Sequence, residues 1–100
     1  SPRFSVLHEG KLYYLTSEEQ VLRFRNNPEK YIPALGGHCP FSLALGRDVA
    51  IDPERFEIID GRVYLFHDSD ELDALEAFRN AADRGKILEK AEHQFELMRF

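Results

Sequence analysis

The residues of this chain that could do chemistry are few and lie close together. Cys39 is the single cysteine, set in the run Pro33-Ala34-Leu35-Gly36-Gly37-His38-Cys39-Pro40-Phe41-Ser42-Leu43, directly after a histidine and a pair of glycines. A thiolate approached by a flexible backbone is a soft-metal ligand or an exchange nucleophile. The same sulfur, flanked by Leu35, Phe41 and Leu43, is equally a small hydrophobe suited to a core. Both readings of Cys39, reactive and inert, stand on the residues alone. The glycine pair reads as a tight turn, because it lacks the Lys and Ser/Thr of a phosphate loop and the strand-to-helix context such a loop needs. Of the four histidines, His8 beside an expected turn and His93 among Glu89, Glu92 and Glu96 read as solvated, which leaves His38 and His67.

Other chemistries lack their signatures. The acids Asp68, Asp70, Glu71 and Asp73 have neither the glycine nor the distant glutamate of a calcium loop, and they suit the positive end of a helix instead. No Ser-His-Asp or paired-glutamate context supports catalysis, so the chain reads as a non-enzyme. Eighteen acidic against thirteen basic residues give a formal charge of −5. Without a basic cluster, that surface repels phosphate backbones, and no nucleic-acid partner is expected. The tyrosines Tyr13, Tyr14, Tyr31 and Tyr64 therefore read as core and hairpin pairs. No apolar run has the eighteen or so residues of a membrane span, so no membrane insertion is expected. No basic-then-apolar export signal opens the chain, and because Ser1-Pro2 is not an initiator methionine, that says little about compartment. A lone cysteine forms no internal disulfide, so the fold does not depend on oxidation.

The elements that must position Cys39 follow from pattern. With 43% hydrophobic residues and twelve aromatics in 100 positions, there is material for one core; a chain of that size buries about 60–65% of its unfolded surface. Phe4 to His8 and Lys11 to Leu15 read as strands around the turn Glu9-Gly10, and Phe56 to Ile59 and Val63 to Phe66 as strands around Asp60-Gly61. Ser17 caps a helix with Gln20 completing a capping box, Val21, Leu22 and Phe24 form its apolar stripe, and Asn26-Asn27-Pro28 stops it. Pro28 to Tyr31 reads as a turn that sets Tyr31 and Ile32 on the core, Phe41 to Leu45 as one helical turn closed by Gly46, and Asp52-Pro53 as a further turn. A longer helix is expected from a cap at Asp68 or Ser69, with Leu72, Leu75 and Phe78 inward and Gly85 as its punctuation. A final helix carries Leu88, Ala91, Phe95 and Met98.

An internal echo runs through this order. At an offset of 51 positions, Glu9-Gly10-Lys11-Leu12-Tyr13-Tyr14-Leu15 matches Asp60-Gly61-Arg62-Val63-Tyr64-Leu65-Phe66 class for class. The expected fold is α+β: two hairpin-plus-helix units, ββα-ββα, around a small antiparallel sheet, with an additional C-terminal helix. Pseudo-twofold symmetry and mere reuse of hairpin chemistry both account for the echo.

The run Gly10 to Phe66 resembles the YHS domain family. The resemblance rests on Gly10-Lys11-Leu12-Tyr13-Tyr14-Leu15, Phe24, Pro28-Glu29-Lys30-Tyr31, Gly36-Gly37-His38-Cys39, Gly46-Arg47, Asp52-Pro53 and the second hairpin through Phe66. It is similar to a bacterial branch with a GG-x-C motif, found in exported proteins and as a domain of larger envelope proteins. The resemblance implies residues 1–100 as a single YHS-like domain, a periplasmic or envelope location, and an accessory role near heavy metals, copper above all. In the metal-linked branch a cysteine ends the second strand; here Thr16 stands in that place, and its equivalent in the second copy is His67. The expected metal site is therefore Cys39, His38 and His67, with Cu(I) or Zn(II) as the ion and thiol-redox chemistry at Cys39 as a related role. The competing expectation is a non-catalytic interaction or self-association module of a larger envelope protein, with Cys39 buried and exposed apolar surface on the short hairpins meeting a protein partner or a second copy.

Overall fold

In the computed structural model of the chain, residues 4–99 are described. They fall into two compact units that meet in sequence at Tyr31 and Ile32. The class is α+β, built from two antiparallel hairpins and five helices among the described residues. The hairpins form two separate two-stranded sheets, where one small sheet was expected.

In the first unit, β1 (Ser5–His8) pairs with β2 (Lys11–Tyr14), with His8 opposite Lys11. Glu9 and Gly10 between them both take positive φ, 48° and 81°, the two-residue turn whose twist matches that of the strands. Helix α1 (Glu18–Asn26) starts where Ser17 accepts a hydrogen bond from the Gln20 amide at 3.2 Å. Gln20 Oε1 reaches back to the amide and hydroxyl of Thr16, each at 2.8 Å, one residue earlier than a standard capping box. Asn27 ends the helix and α2 (Pro28–Tyr31) adds a single turn. Phe24 is the buried centre of this unit, with His8 at 6.1 Å, Tyr13 at 5.0 Å and Tyr31 at 6.4 Å between ring centroids. His8 is thus a half-buried ring partner rather than a solvated residue, and Tyr31, 45% exposed, covers Phe24 without entering a core.

The second unit begins with a 3₁₀ turn (Ala34–Gly37) and α3 (Pro40–Ala44). Strand β3 (Asp52–Ile59) pairs with β4 (Arg62–Phe66), and the turn residues Asp60 and Gly61 repeat the positive φ pair at 51° and 77°. The sequence echo is therefore real at the level of hairpin backbone. Asp52-Pro53 belongs to the strand rather than to a separate turn; Asp52 Oδ1 accepts from the Glu54 amide at 2.9 Å, and the register shifts between Asp52 and Phe56. Helix α4 (Ala74–Arg79) is shorter than its pattern promised. Ser69 and Leu72 exchange backbone bonds and Ser69 Oγ accepts from the Leu72 amide, so the residues expected to cap the helix close a loop instead. Asp73 is the cap, accepting from the Glu76 amide at 3.2 Å. Gly85 does not stop a helix; it lies inside α5 (Arg84–Met98), which Asp83 caps through the Lys86 amide at 3.0 Å.

The core of this unit is Cys39, Phe66, Ala74, Leu75 and Phe78, with Phe41, Ile51, Ile59, Tyr64, Leu72, Ile87 and Leu88 packed around it. Phe66 and Phe78 meet at 5.2 Å between centroids, tilted by 44°, a favourable offset for two rings. Leu75 and Phe78 point inward as their spacing predicts, whereas Met98 is 45% exposed at the end of α5.

Asp73 also ties α4 to the hairpin, because the Arg55 guanidinium donates to its Oδ2. That bond, followed by the bond from the Glu76 amide, holds the Asp73 carboxyl below the usual carboxylate range. A depressed carboxyl contributes stability that is complete above the ordinary carboxylate value, about pH 4, and is lost as pH falls through its own lower value. Urea unfolding midpoints are expected to fall below about pH 4 in the wild type and to fall less in Asp73→Asn, which keeps the cap but not the charge. An acid limb of equal depth in both proteins removes Asp73 as its source.

Candidate functional site

The stretch around Cys39 is shaped by three consecutive residues in the left-handed region: Leu35 at φ 56°, Gly36 at 61° and Gly37 at 83°. Glycine adopts this conformation freely, while Leu35 adopts it at a cost of about 1 kcal/mol. Gly36 has a second reason to lack a side chain, since a Cβ there would lie 3.0 Å from Cε1 of Phe95 on α5. The turn closes with the His38 amide donating to the Leu35 carbonyl at 3.0 Å.

The chain then enters α3 with Pro40 in its first turn, where the missing amide hydrogen has no helical role. Cys39 is the N-cap residue. Its Sγ accepts from the Ser42 amide at 3.4 Å and its carbonyl accepts from the Leu43 amide at 2.8 Å. The residue is 2% exposed and belongs to the same cluster as Phe66 and Phe78. Its sulfur thus satisfies an otherwise orphaned helix amide and fills core volume together.

His38 turns the other way. Its Nδ1 lies 2.9 Å from Asp48 Oδ1, and its ring stands 6.2 Å from that of Phe95. His67 Nδ1 lies 2.6 Å from the Ala50 carbonyl oxygen. A carbonyl only accepts, so Nδ1 of His67 donates in this bond. Both imidazoles are therefore held by the segment between α3 and β3. Such anchoring orients rings that bind metals, yet among the described residues no three His, Cys, Asp or Glu side chains gather where an ion could be held. Cys39, His38 and His67 do not form a ligand set: neighbours in sequence diverge, the thiol inward to its cap and the imidazole outward to Asp48. The donor arrangement does not fit Cu(I) or Zn(II), which take three or four close ligands. Asp48 and Ala50 carry no local signal that would have marked them as histidine partners.

Sequence reasoning found apolar hairpins but not which of their side chains face water. On the first hairpin Leu7 and Leu12 are directly opposite each other and are 72% and 51% exposed, with Tyr14 exposed on the same face. On the second, Phe56 opposite Leu65 and Ile58 opposite Val63 form an apolar face, Phe56 being 47% and Ile58 62% exposed. Among the described residues no helix is long and apolar enough to cross a membrane. Comparison of the chain with family models, curated proteins and solved structures returns no match.

Gly36→Ala is expected to lower stability by about 1–3 kcal/mol, from positive φ plus the approach to Phe95, and Gly37→Ala, where a Cβ meets open space, by about 1 kcal/mol. Urea unfolding of the two variants checks the order; equal losses would mean that the Phe95 contact is readily relieved. Alkylation of native Cys39 by iodoacetamide is expected to be at least about tenfold slower than in the urea-unfolded chain. Equal rates would show an open thiol.

Proposed function

We propose that this chain is a YHS-like, non-catalytic protein-interaction domain in which Cys39 is a structural residue. The observation that carries the reading is the apolar face of the β3–β4 hairpin, with exposed Phe56 and Ile58 opposite half-buried Leu65 and Val63, on a unit whose one thiol is shut in its core. Exposed apolar side chains standing singly are ordinary, but cross-strand pairs that form a continuous face mark contact surfaces. The matching positions of the first hairpin, Leu7 and Leu12 at the offset of 51, are exposed as well. A sheet face that repeats as apolar and outward in both hairpins serves contact with another protein better than it serves a core.

The placement of Cys39 weighs against the competing metal or redox role. A soft ion needs further ligands beside the sulfur and an exchange partner needs access to it, whereas Cys39 is 2% exposed, its sulfur takes the Ser42 amide and it packs with Phe66 and Phe78. Titration with Cu(I) and with Zn(II), comparing wild type and Cys39→Ala, is expected to give equal and negligible uptake. One equivalent bound by the wild type and lost in Cys39→Ala would overturn the interaction reading.

A further inference from the structure

Strand β3 is the open edge of its sheet. On its far side β4 packs against the 3₁₀ turn and α3, and β3 touches α4, while among the described residues β3 pairs in a sheet with β4 alone. The two-residue turn closes on the pair Ile59 and Arg62, so Ile59 and Glu57 bond toward β4, and Phe56 and Ile58 direct their amide and carbonyl groups away from it. Among the described residues no backbone bond outside the hairpin reaches these two. A free edge of this kind is a template for another strand.

Beside that edge lies a cleft of about 710 Å³. Glu57, Ile58 and Asp60 line it with Asp83 at the start of α5, Ala82 and Leu88 supply apolar surface, and the buried Phe78 lies beneath. Three carboxylates face one guanidinium, that of Arg84, in this lining. Glu57 pairs Oε1 with Arg79 Nε at 3.3 Å, whereas its buried Oε2 has no partner among the described residues. A second copy is a poor occupant: each chain carries −5, and two β3 edges brought together would set Glu57 and Asp60 against like charges.

We infer that the β3 edge and this cleft take an extended segment of a partner protein, with alternating apolar and basic side chains, added as a third strand. Its backbone bonds to the outward groups of Phe56 and Ile58, its lysines or arginines, on the cleft face, meet Asp60, Asp83 and the unpaired side of Glu57, and its apolar side chains, on the opposite face, extend the exposed apolar face of Phe56 and Ile58. Main-chain bonding supplies affinity in such strand addition, and the side chains that alternate along it supply selectivity. This inference rests on the interaction reading and narrows it to one surface and one partner chemistry.

The test is an amide-resolved NMR titration of the full chain with a capped hexapeptide of alternating lysine and valine. Two control peptides are the same sequence with glutamate for lysine, and the lysine peptide N-methylated at alternate backbone positions. Binding by the lysine peptide with shifts centred on Ile58, Asp60 and Gly85 is expected, with neither control binding at about 1 mM, where a bound complex is worth only about 4 kcal/mol. Glu57→Gln and Asp83→Asn, the latter retaining a capping side chain, are each expected to weaken it about tenfold. Equal binding of either control, shifts centred elsewhere, or no binding of the lysine peptide at that concentration overturns the inference. So does concentration-dependent self-association that shifts the same amides without peptide, which would make a second copy the occupant. A negative peptide result with Cys39 still taking up no metal removes this groove and leaves the interaction reading standing; Cys39-dependent metal uptake removes that reading whatever the peptide does.

Discussion

The hydrogen bond from the Ser42 amide to the Cys39 sulfur, made inside the core, is the constraint on which the second unit turns. It starts α3 three residues after the left-handed turn and places the sulfur in the cluster of Phe66, Ala74, Leu75 and Phe78. Sulfur is a weak acceptor, so the bond contributes less than the packing that surrounds it. The combination still serves two demands that a core position seldom meets together: it satisfies a helix-end amide and leaves no polar oxygen in an apolar cluster.

The same geometry explains the separation of His38 from Cys39. Once the thiol is committed inward, the preceding side chain emerges on the other side of the backbone, where Asp48 receives it. His67 reaches the same connecting segment through Ala50. The two histidines thus bond to the segment from α3 to β3, joining parts of the chain that lie ten and seventeen residues apart.

The hairpin β3–β4 is asymmetric for a related reason. One of its edges is covered by the elements that carry Cys39, and Arg55 and Glu57 reach to Asp73 and Arg79 of the α4 region. Although β3 also touches α4, among the described residues no backbone bond outside the hairpin reaches Phe56 or Ile58, and apolar side chains, outward backbone groups and acidic charge coincide there.

Much of this was legible in the chain itself, where the controlling interactions are local. Acid-Gly pairs at the tips of both hairpins encode positive φ, Ser17 with Gln20 encodes a helix start, and Gly36-Gly37 encodes a tight turn, because each depends on neighbours a few residues away. The α4 boundary is not legible for a physical reason: Ser69 can cap a helix or close a loop with equal chemistry, and the isolated bridge between Asp68 and Asp73 selects the loop. Which face of each hairpin meets water, the partners of His38 and His67, and the inward commitment of the single thiol were decided by tertiary structure alone, since all of them depend on contacts between residues far apart in sequence. The sequence by itself determined that a cysteine follows two glycines and precedes a proline; the packing of Phe66 and Phe78 around its sulfur decided that it caps a helix in a closed core.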